Sequence, residues 1–374
     1  MDEGRGNYWA ALDGLRGIAV AAVLLYHFGA PVGTGGYLGV DLFFVISGCV
    51  VTTSLRRSLA RGATLPEFFL RRAARLLPNL LLLLTTAEIW DRWHDGRWFG
   101  AHGKAVLTGI TQTSNLLSLG GRQEIGHLWS LSEEWQFYLI LPFLLPAFCA
   151  RGVSTGVRWA FGVAAASMAL RPIMDLAFHA TVGHIYLWPI TRLDNLMLGV
   201  AVALLVEQGR RPSNPTLPIV AGAGVGGALL LAPLWYLRPE LSLFGIMPAV
   251  ALGSFVLVWS LASSRPDAAL NRMLALPPLQ YLGKRSYSVY LWHYFLGVAV
   301  IAHGETWHGA SIFARQVTLS LLVGFATYTC LEQPVRERMH GWLARRSRRV
   351  AEGGGARADA TTQALTSGSA ISRV

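Results

Sequence analysis

The chain has 374 residues, of which 53% are hydrophobic and only 14% are charged, and its formal net charge is +11. Soluble domains are nearer a quarter charged, so this composition argues against a large soluble enzyme with buried helices. Apolar runs of about 17–25 residues, the length of a membrane-spanning helix, recur along the whole chain. The sequence therefore predicts an all-α, polytopic integral membrane protein.

Ten membrane spans are predicted. They lie near residues 10–28, 37–55, 74–90, 128–149, 158–180, 187–206, 217–237, 244–262, 286–302 and 311–331. With these spans, 23 Lys and Arg residues fall on one side of the membrane and five on the other. The positive-inside rule puts the richer side, with both termini, in the cytoplasm. Because topology accounts for the positive charge, we expect a multi-pass protein of the cell membrane and no nucleic-acid partner.

Two further features divide the chain and limit its chemistry. The three cysteines, Cys49, Cys149 and Cys330, lie in apolar runs and form no CxxC pair, which argues against a disulfide framework or a zinc site. The membrane domain is expected to cover residues 1–338. Residues 339–374 are expected to form a cytoplasmic tail that is first basic and then disordered, because its end is rich in Gly, Ala, Ser and Thr.

The first span, "LDGLRGIAVAAVLLYH" at residues 12–27, contains Arg16 and His27. Eleven residues turn a helix about 20° beyond three full turns, so both side chains share one face. A charge inside a bilayer is costly, so this face is expected to line a polar pathway within the protein. His27 lies at the outer end, where it is a candidate general base. Pairing of Arg16 with Asp13 or Asp41 is the structural alternative.

The second and third spans add an acid and three arginines. Asp41, in "GGYLGVDLFFVISG", needs a partner, and Arg16 and His27 are the candidates. In "FFLRRAARLLP", Arg71, Arg72 and Arg75 lie at the cytoplasmic mouth of the third span. They are either topogenic charges or a seat for phosphate groups, which guanidinium forks bind well.

The fourth span begins with "HLWSLSEEWQFYLILP", which places His127, Glu133 and Glu134 near the outer surface. Adjacent residues of a helix point about 100° apart, so only one of the two glutamates can line a given cavity. A carboxylate beside His27 could orient that imidazole as a base. The spacing alone leaves both glutamates as candidates.

Polar residues of the later spans complete the candidate set. They are Arg192 and Asp194 in "RLDNLMLG", and Lys284, Arg285 and His293 in "LGKRSYSVYLWH". His293 alone would more often be a packed, hydrogen-bonded histidine than a catalyst. We interpret these three residues, together with His127 and Glu133, as candidates for binding a substrate: Arg192, Asp194 and His293.

Taken in order, these stretches and "EQPVR" at residues 332–336 resemble the acyltransferase 3 family of bacterial membrane O-acyltransferases. The resemblance implies a ten-span enzyme that takes an acyl group from cytoplasmic acyl-CoA and transfers it to a hydroxyl of a surface polysaccharide, lipid or antibiotic. Arg16 and His27 match the family's essential pair, and Arg72 and Arg75 match its R-x-x-R motif. The family register aligns its glutamate with Glu134, while Glu133 occupies a place that is usually apolar.

On this basis we expect His27, Glu134, Arg16 and Asp41 to be catalytic. Arg71, Arg72, Arg75, Lys284 and Arg285 are expected to bind the CoA donor, without a metal. The acceptor is expected to be a hydroxyl-bearing sugar or glycosylated molecule. Two alternatives stay open: acylation of a macrolide-type antibiotic on the cytoplasmic side, and a proton-coupled transporter or flippase that performs no acyl transfer.

Overall fold

The structure is a computed structural model that describes residues 3–96, 103–117, 125–214, 216–231, 239–263, 268–297 and 310–346. These residues are mostly helical and contain no β-strand. The helices are α1 (Glu3–His27), α2 (Gly39–Ala60), α3 (Leu65–Asp95), α4 (Gly103–Thr111), α5 (Leu128–Phe148), α6 (Val153–Phe178), α7 (Val182–Leu187), α8 (Pro189–Glu207), α9 (Leu217–Leu231), α10 (Pro239–Ser263), α11 (Ala269–Leu274), α12 (Pro277–Lys284), α13 (Ser286–Phe295) and α14 (Ala310–Arg346).

Short non-α turns interrupt three parts of this order. A 3₁₀ turn, Gly36–Leu38, precedes α2, and π turns occur within α10 at Ser242–Ile246 and within α14 at Tyr328–Glu332. Turns of the π type are rare in proteins, and those that occur are often found at functional sites. The π turn at Tyr328–Glu332 lies beside the cavities described below.

Six described segments are long and apolar enough to cross a membrane. They are Ala10–His27, Gly36–Ala60, Val153–Phe178, Val182–Glu207, Pro239–Ser263 and Ala310–Arg346. The predicted all-helical fold is therefore confirmed for the described residues, and these six segments fit the predicted membrane protein. Helices also occupy the other four predicted positions, in α3, α5, α9 and α13, but they do not meet the same criteria of length and hydropathy. Ten crossings and cytoplasmic termini remain predictions, and residues 347–374 of the predicted tail lie outside the described residues.

Glycines allow the central helices α2 and α8 to pack backbone to backbone. A Cβ at Gly48 would lie 2.1 Å from the Leu196 carbonyl oxygen, and one at Gly199 would lie 2.3 Å from that of Val45. Small residues are the usual means of close helix packing in membranes. This contact fixes the register of the two helices that carry Asp41 and Arg192.

Candidate active site

Three histidines from distant parts of the chain form a cluster at one end of α1. His27 is the last residue of α1, His127 precedes α5, and His293 lies in α13. The ring centroids of His27 and His293 are 5.0 Å apart, and those of His127 and His293 are 5.5 Å apart. His127 and His293 are buried, whereas His27 is partly exposed. We call these three residues the histidine cluster.

Backbone carbonyls determine which ring nitrogens of the histidine cluster carry hydrogen. Nδ1 of His27 lies 3.0 Å from the Val23 carbonyl oxygen, and Nδ1 of His293 lies 2.5 Å from that of Tyr290. A carbonyl oxygen only accepts hydrogen bonds, so both Nδ1 atoms must donate. The neutral rings then carry their lone pairs on Nε2. His27 is thus held in the tautomer whose Nε2 can accept a proton.

His127 has the opposite arrangement. Its Nε2 donates to the Leu291 carbonyl oxygen over 3.0 Å, which leaves the lone pair on Nδ1. That Nδ1 is buried and has no hydrogen-bond partner among the described residues. No group of three or more His, Cys, Asp or Glu side chains in the described ranges has a metal-binding arrangement.

Arg16 lines several cavities inside the protein. Two cavities of about 40 and 50 Å³ are both lined by Arg16, Phe43, Glu134 and Tyr287, and we call this pair the corridor. At one end the corridor reaches Arg72 and Arg75, and at the other it reaches Ser130 and Tyr290. Tyr290 is the residue whose carbonyl accepts from His293, so the corridor ends next to the histidine cluster.

The adjacent glutamates of α5 point into different environments. Glu134 lines the corridor and accepts a hydrogen bond of 3.1 Å from the Tyr138 hydroxyl, which in turn lies 2.6 Å from Ser47 Oγ. Glu133 is 1% exposed, and both of its carboxylate oxygens lack a hydrogen-bond partner among the described residues. Its electrostatic neighbours are Arg192 and Asp194 rather than Arg16.

Arg192 and Asp194 belong to a network of buried ion pairs that joins α2, α6 and α8, which we call the buried ion network. Arg192 Nη1 is 3.1 Å from Asp41 Oδ1, and Arg171 Nη2 is 2.6 Å from Asp194 Oδ1. Asn195 Nδ2 donates to both carboxylates. All five side chains are 0% exposed. The expectation that Asp41 pairs with Arg16 or His27 is wrong. The close packing of α2 on α8 places Arg192 beside Asp41, and these two residues form the ion pair.

Aromatic rings surround Arg192 and complete this network. Its guanidinium lies 4.9 Å from the centroid of the Tyr186 ring and 5.7 Å from those of Phe44 and Trp129. Aromatic faces stabilise a cation that has been removed from water. The predicted substrate-binding residues therefore separate in the structure. His127 and His293 lie with His27, whereas Glu133, Arg192 and Asp194 lie in or against the buried ion network.

The largest of the four cavities described here lies at the far end of the corridor and has a volume of about 1160 Å³. We call it the arginine basin, since its lining includes seven arginines and only two glutamates. These are Arg57, Arg61, Arg71, Arg72, Arg75, Arg336 and Arg346, with Glu67 and Glu337. The Nε atoms of Arg71 and Arg75 are buried and have no hydrogen-bond partner in the described part of the chain. Such a surplus of donors is suited to a ligand with several phosphates.

Local sequence explains how α3 presents its arginines to the arginine basin. A capping box between Thr64 and Glu67, with Pro66 in the first turn, begins α3 at Leu65. The three arginines then follow in the second and third turns. The guanidinium carbon of Arg72 lies 5.6 Å from the ring centroids of both Phe68 and Tyr138. Tyr138 thus connects the arginine basin with Glu134.

Lys284 and Arg285 have different surroundings despite their adjacency. Lys284 lines a side cavity of about 310 Å³ together with Asp13, Arg16 and Arg75. Arg285 instead stacks on aromatic rings, 3.4 Å from the centroid of Tyr281 and 4.8 Å from that of Tyr328. It is not among the residues that line the described cavities, so the structure gives no contact for the donor-binding role expected of it.

Several hydroxyl groups of the site were not singled out from the sequence. Tyr290 bonds to Ser130 over 2.8 Å where the corridor meets the histidine cluster. The ring of Tyr294 is stacked on His127 and meets His27 edge to face. Each lies within a few residues of a candidate histidine or glutamate, and that proximity was the available signal.

Fold and site together describe an all-helical protein with apolar helices of membrane-spanning length, in which an arginine-lined basin and the corridor lie in line with a histidine cluster. The chain belongs to the acyltransferase 3 family, whose model, described as an acyltransferase domain, matches residues 9–331. This confirms the resemblance seen in the motifs and the prediction of an acyltransferase enzyme at the level of the family.

Proteins named as O-acetyltransferases, one of them as putative, are similar to this chain. O-acetyltransferase OatA of Staphylococcus aureus (strain NCTC 8325 / PS 47) is 28% identical in an alignment of 357 residues that covers 89% of this chain and 58% of OatA. The putative peptidoglycan O-acetyltransferase YrhL of Bacillus subtilis (strain 168) is 27% identical over 88% of this chain and 55% of its own length. The chain thus spans somewhat more than half the length of these relatives. No solved structure matches it.

Proposed function

We propose that this protein is an O-acyltransferase that moves a short acyl group, in the first place acetyl, from acyl-CoA to a hydroxyl of a sugar-containing acceptor. The observation that carries the proposal is that the arginine basin, the corridor and the histidine cluster are neighbours: Arg72 and Arg75 line both the basin and the corridor, and Tyr290 lies between the corridor and His293. The names of the relatives support an acetyl group and, for YrhL, a peptidoglycan acceptor. Other surface glycans, glycolipids and glycosylated metabolites carry the same reacting group.

In this proposal the donor enters from the cytoplasm of a bacterial cell, across whose plasma membrane the chain makes ten crossings. The phosphates of acyl-CoA lie in the arginine basin on Arg71, Arg72 and Arg75, and Lys284 adds positive charge from the side cavity. The pantetheine arm passes Arg16 in the corridor. Arg16 and Glu134 stabilise charge there and exclude bulk water. The membrane domain covers residues 1–338 and the basic tail follows it.

The chemistry is assigned to the histidine cluster. Nε2 of His27 takes the proton of the acceptor hydroxyl, whose oxygen attacks the thioester carbon. The C–S bond then breaks, the CoA thiolate takes the proton from the His27 imidazolium, and the histidine returns to its neutral form. General-base catalysis of this kind contributes roughly 10²–10⁴-fold to a rate. His293 holds the His27 ring, and His127, with an unengaged Nδ1, is placed to bind the acceptor hydroxyl.

The purified full chain tests this function. It is reconstituted in lipid nanodiscs with acetyl-CoA labelled on its acetyl group and with solubilised cell-wall glycan as the acceptor. Transfer of label to the glycan, with equal release of CoA thiol, is the expected result. A protein that binds the glycan but consumes no acetyl-CoA contradicts the proposal and leaves the transporter alternative.

A further inference from the structure

The last helix, α14, continues well beyond the part of the chain that matches the family. The match ends at residue 331, whereas α14 continues to Arg346. Leu343 is 0% exposed, so this end of the helix is packed against the protein. We call residues 333–346 the terminal segment, and its side chains have no role in the function proposed above.

The terminal segment presents a basic face to the arginine basin. Arg336, His340 and Arg346 all line that cavity. Arg338 and Arg345 are on the same segment, are exposed and do not line it. Around the helix, His340 lies about 40° and Arg346 about 80° from Arg336, on opposite sides of it, whereas Arg338 and Arg345 lie about 160–180° from Arg336. The face that meets the arginine basin is therefore a distinct surface of the segment.

The residues of the terminal segment that line the arginine basin lie at different depths in it. Arg336 also lines the side cavity next to Arg16 and Arg75, so it marks the inner part, close to the corridor. Arg346 lies ten residues further on, which is about 15 Å along the helix. His340 lies between them, one turn from Arg336. A donor whose thioester enters the corridor has its most distant phosphate at this outer part.

We infer that the terminal segment forms the outer wall of the donor site and that Arg346 and His340 bind the phosphate group farthest from the thioester. In CoA this is the 3′-phosphate of the nucleotide, whereas the diphosphate lies further in, at the arginines of α3. The inference rests on the proposed function, since it takes acyl-CoA as the donor. It adds a residue set outside the matched domain and assigns it a particular phosphate.

A binding experiment with two ligands tests the inference. CoA and dephospho-CoA, which lacks the 3′-phosphate, are titrated into the detergent-purified full chain. The test variant is Arg346→Gln with His340→Gln, and the control is Arg338→Gln with Arg345→Gln, which removes more positive charge from the same segment. We expect the test variant to raise the Kd for CoA about tenfold, equivalent to about 1.4 kcal/mol. Its Kd for dephospho-CoA and both values of the control should equal those of the wild type.

The possible outcomes are separable. If the test and control variants bind CoA with equal affinity, the inference is wrong, but the assignment of acyl-CoA as the donor is unaffected. An equal loss for CoA and dephospho-CoA also overturns it, because the 3′-phosphate would then not be the group recognised. A wild-type protein that binds neither ligand contradicts the proposed function and the inference with it. Thermal melting of each variant verifies that the terminal segment stays folded.

Discussion

His27 and His293 are in direct contact, with Nδ1 of the first 3.2 Å from Nε2 of the second. Because Nδ1 of His293 must donate to the Tyr290 carbonyl, its Nε2 is the accepting atom in this pair. The His27 Nδ1–H is therefore shared between Val23 and His293, and the ring is held from two sides. This arrangement directs the basic nitrogen of His27 away from its own helix.

Replacement of His27 by Ala should remove transfer almost completely, because it deletes the proposed base. We expect kcat to fall by about 10²–10⁴-fold, the usual contribution of a general base. The measurement is labelled acetyl transfer by the purified variant. His179→Ala is the matched control, since His179 is an exposed histidine at the end of α6. Turnover close to that of the wild type in His27→Ala would remove His27 from the mechanism.

Replacement of His293 by Phe should lower kcat by about tenfold and leave the KM for acetyl-CoA unchanged. His293 acts through His27, so its loss frees the ring of the base without removing the base, and a lost hydrogen bond of about 1.4 kcal/mol corresponds to that factor. His293→Asn can still present a polar group to His27 and should recover part of the rate. A fall in kcat equal to that of His27→Ala would mean that His293 itself takes part in proton transfer.

The two glutamates of α5 should respond differently to the same substitution. Glu134→Gln removes the charge from the corridor beside Arg16, and we expect most of the activity to be lost. Glu133→Gln removes a buried, unpartnered carboxylate from the buried ion network, where a neutral amide is less costly to bury. Its activity should be close to wild type and its melting temperature unchanged or raised. Equal damage from both substitutions would contradict this division of roles.

Arg72 and Arg75 should contribute to the binding of the acyl-CoA donor. The double change to Gln is expected to raise the KM for acetyl-CoA at least tenfold, because two charge-assisted phosphate contacts are lost. Lys at both positions should restore this only in part, since an ammonium lacks the bidentate fork of a guanidinium. The alternative is a purely topogenic role. In that case the abundance of membrane-inserted protein falls while the KM of the remaining protein is unchanged.

Asp41 should stabilise the folded protein through its ion pair with Arg192. Replacement of its partner by Arg192→Met leaves a buried carboxylate without its cation, and the loss of one member of such a pair costs about 3–5 kcal/mol. We therefore expect a lower melting temperature for the purified protein, with an unchanged KM for acetyl-CoA. Arg56→Gln breaks the exposed Arg56–Glu207 pair and should change the melting temperature little. If Arg192→Met melts like Arg56→Gln, the buried ion network does not hold α2 and α8 together.

Helical periodicity alone predicted part of this site correctly. The eleven-residue spacing placed Arg16 and His27 on one face of α1, and the structure has a cavity at the first and a hydrogen-bonded cluster at the second. It also indicated that Glu133 and Glu134 point to different surroundings. The partners of each residue could not be read in the same way, because His293 is 266 residues from His27 and reaches it only through tertiary packing.

The end of α14 shows a different limit of sequence analysis. The tenth span was predicted to end at residue 331, three residues before Pro334, and proline normally interrupts a helix. In the structure α14 passes through this position to Arg346. The π turn at Tyr328–Glu332, just before the proline, changes the hydrogen-bond register and accommodates it. Local register changes of this kind have no periodic signature in the sequence.

The most direct test of the account is a single-turnover experiment on the purified chain in nanodiscs. Acetyl-CoA labelled on the acetyl group is mixed with excess enzyme and a solubilised glycan acceptor, and label on the glycan is followed with time for the wild type, His27→Ala and Glu133→Gln. We predict rapid transfer by the wild type and by Glu133→Gln, and no transfer within the same period by His27→Ala, although it still binds CoA. Transfer by His27→Ala at the wild-type rate would contradict the account.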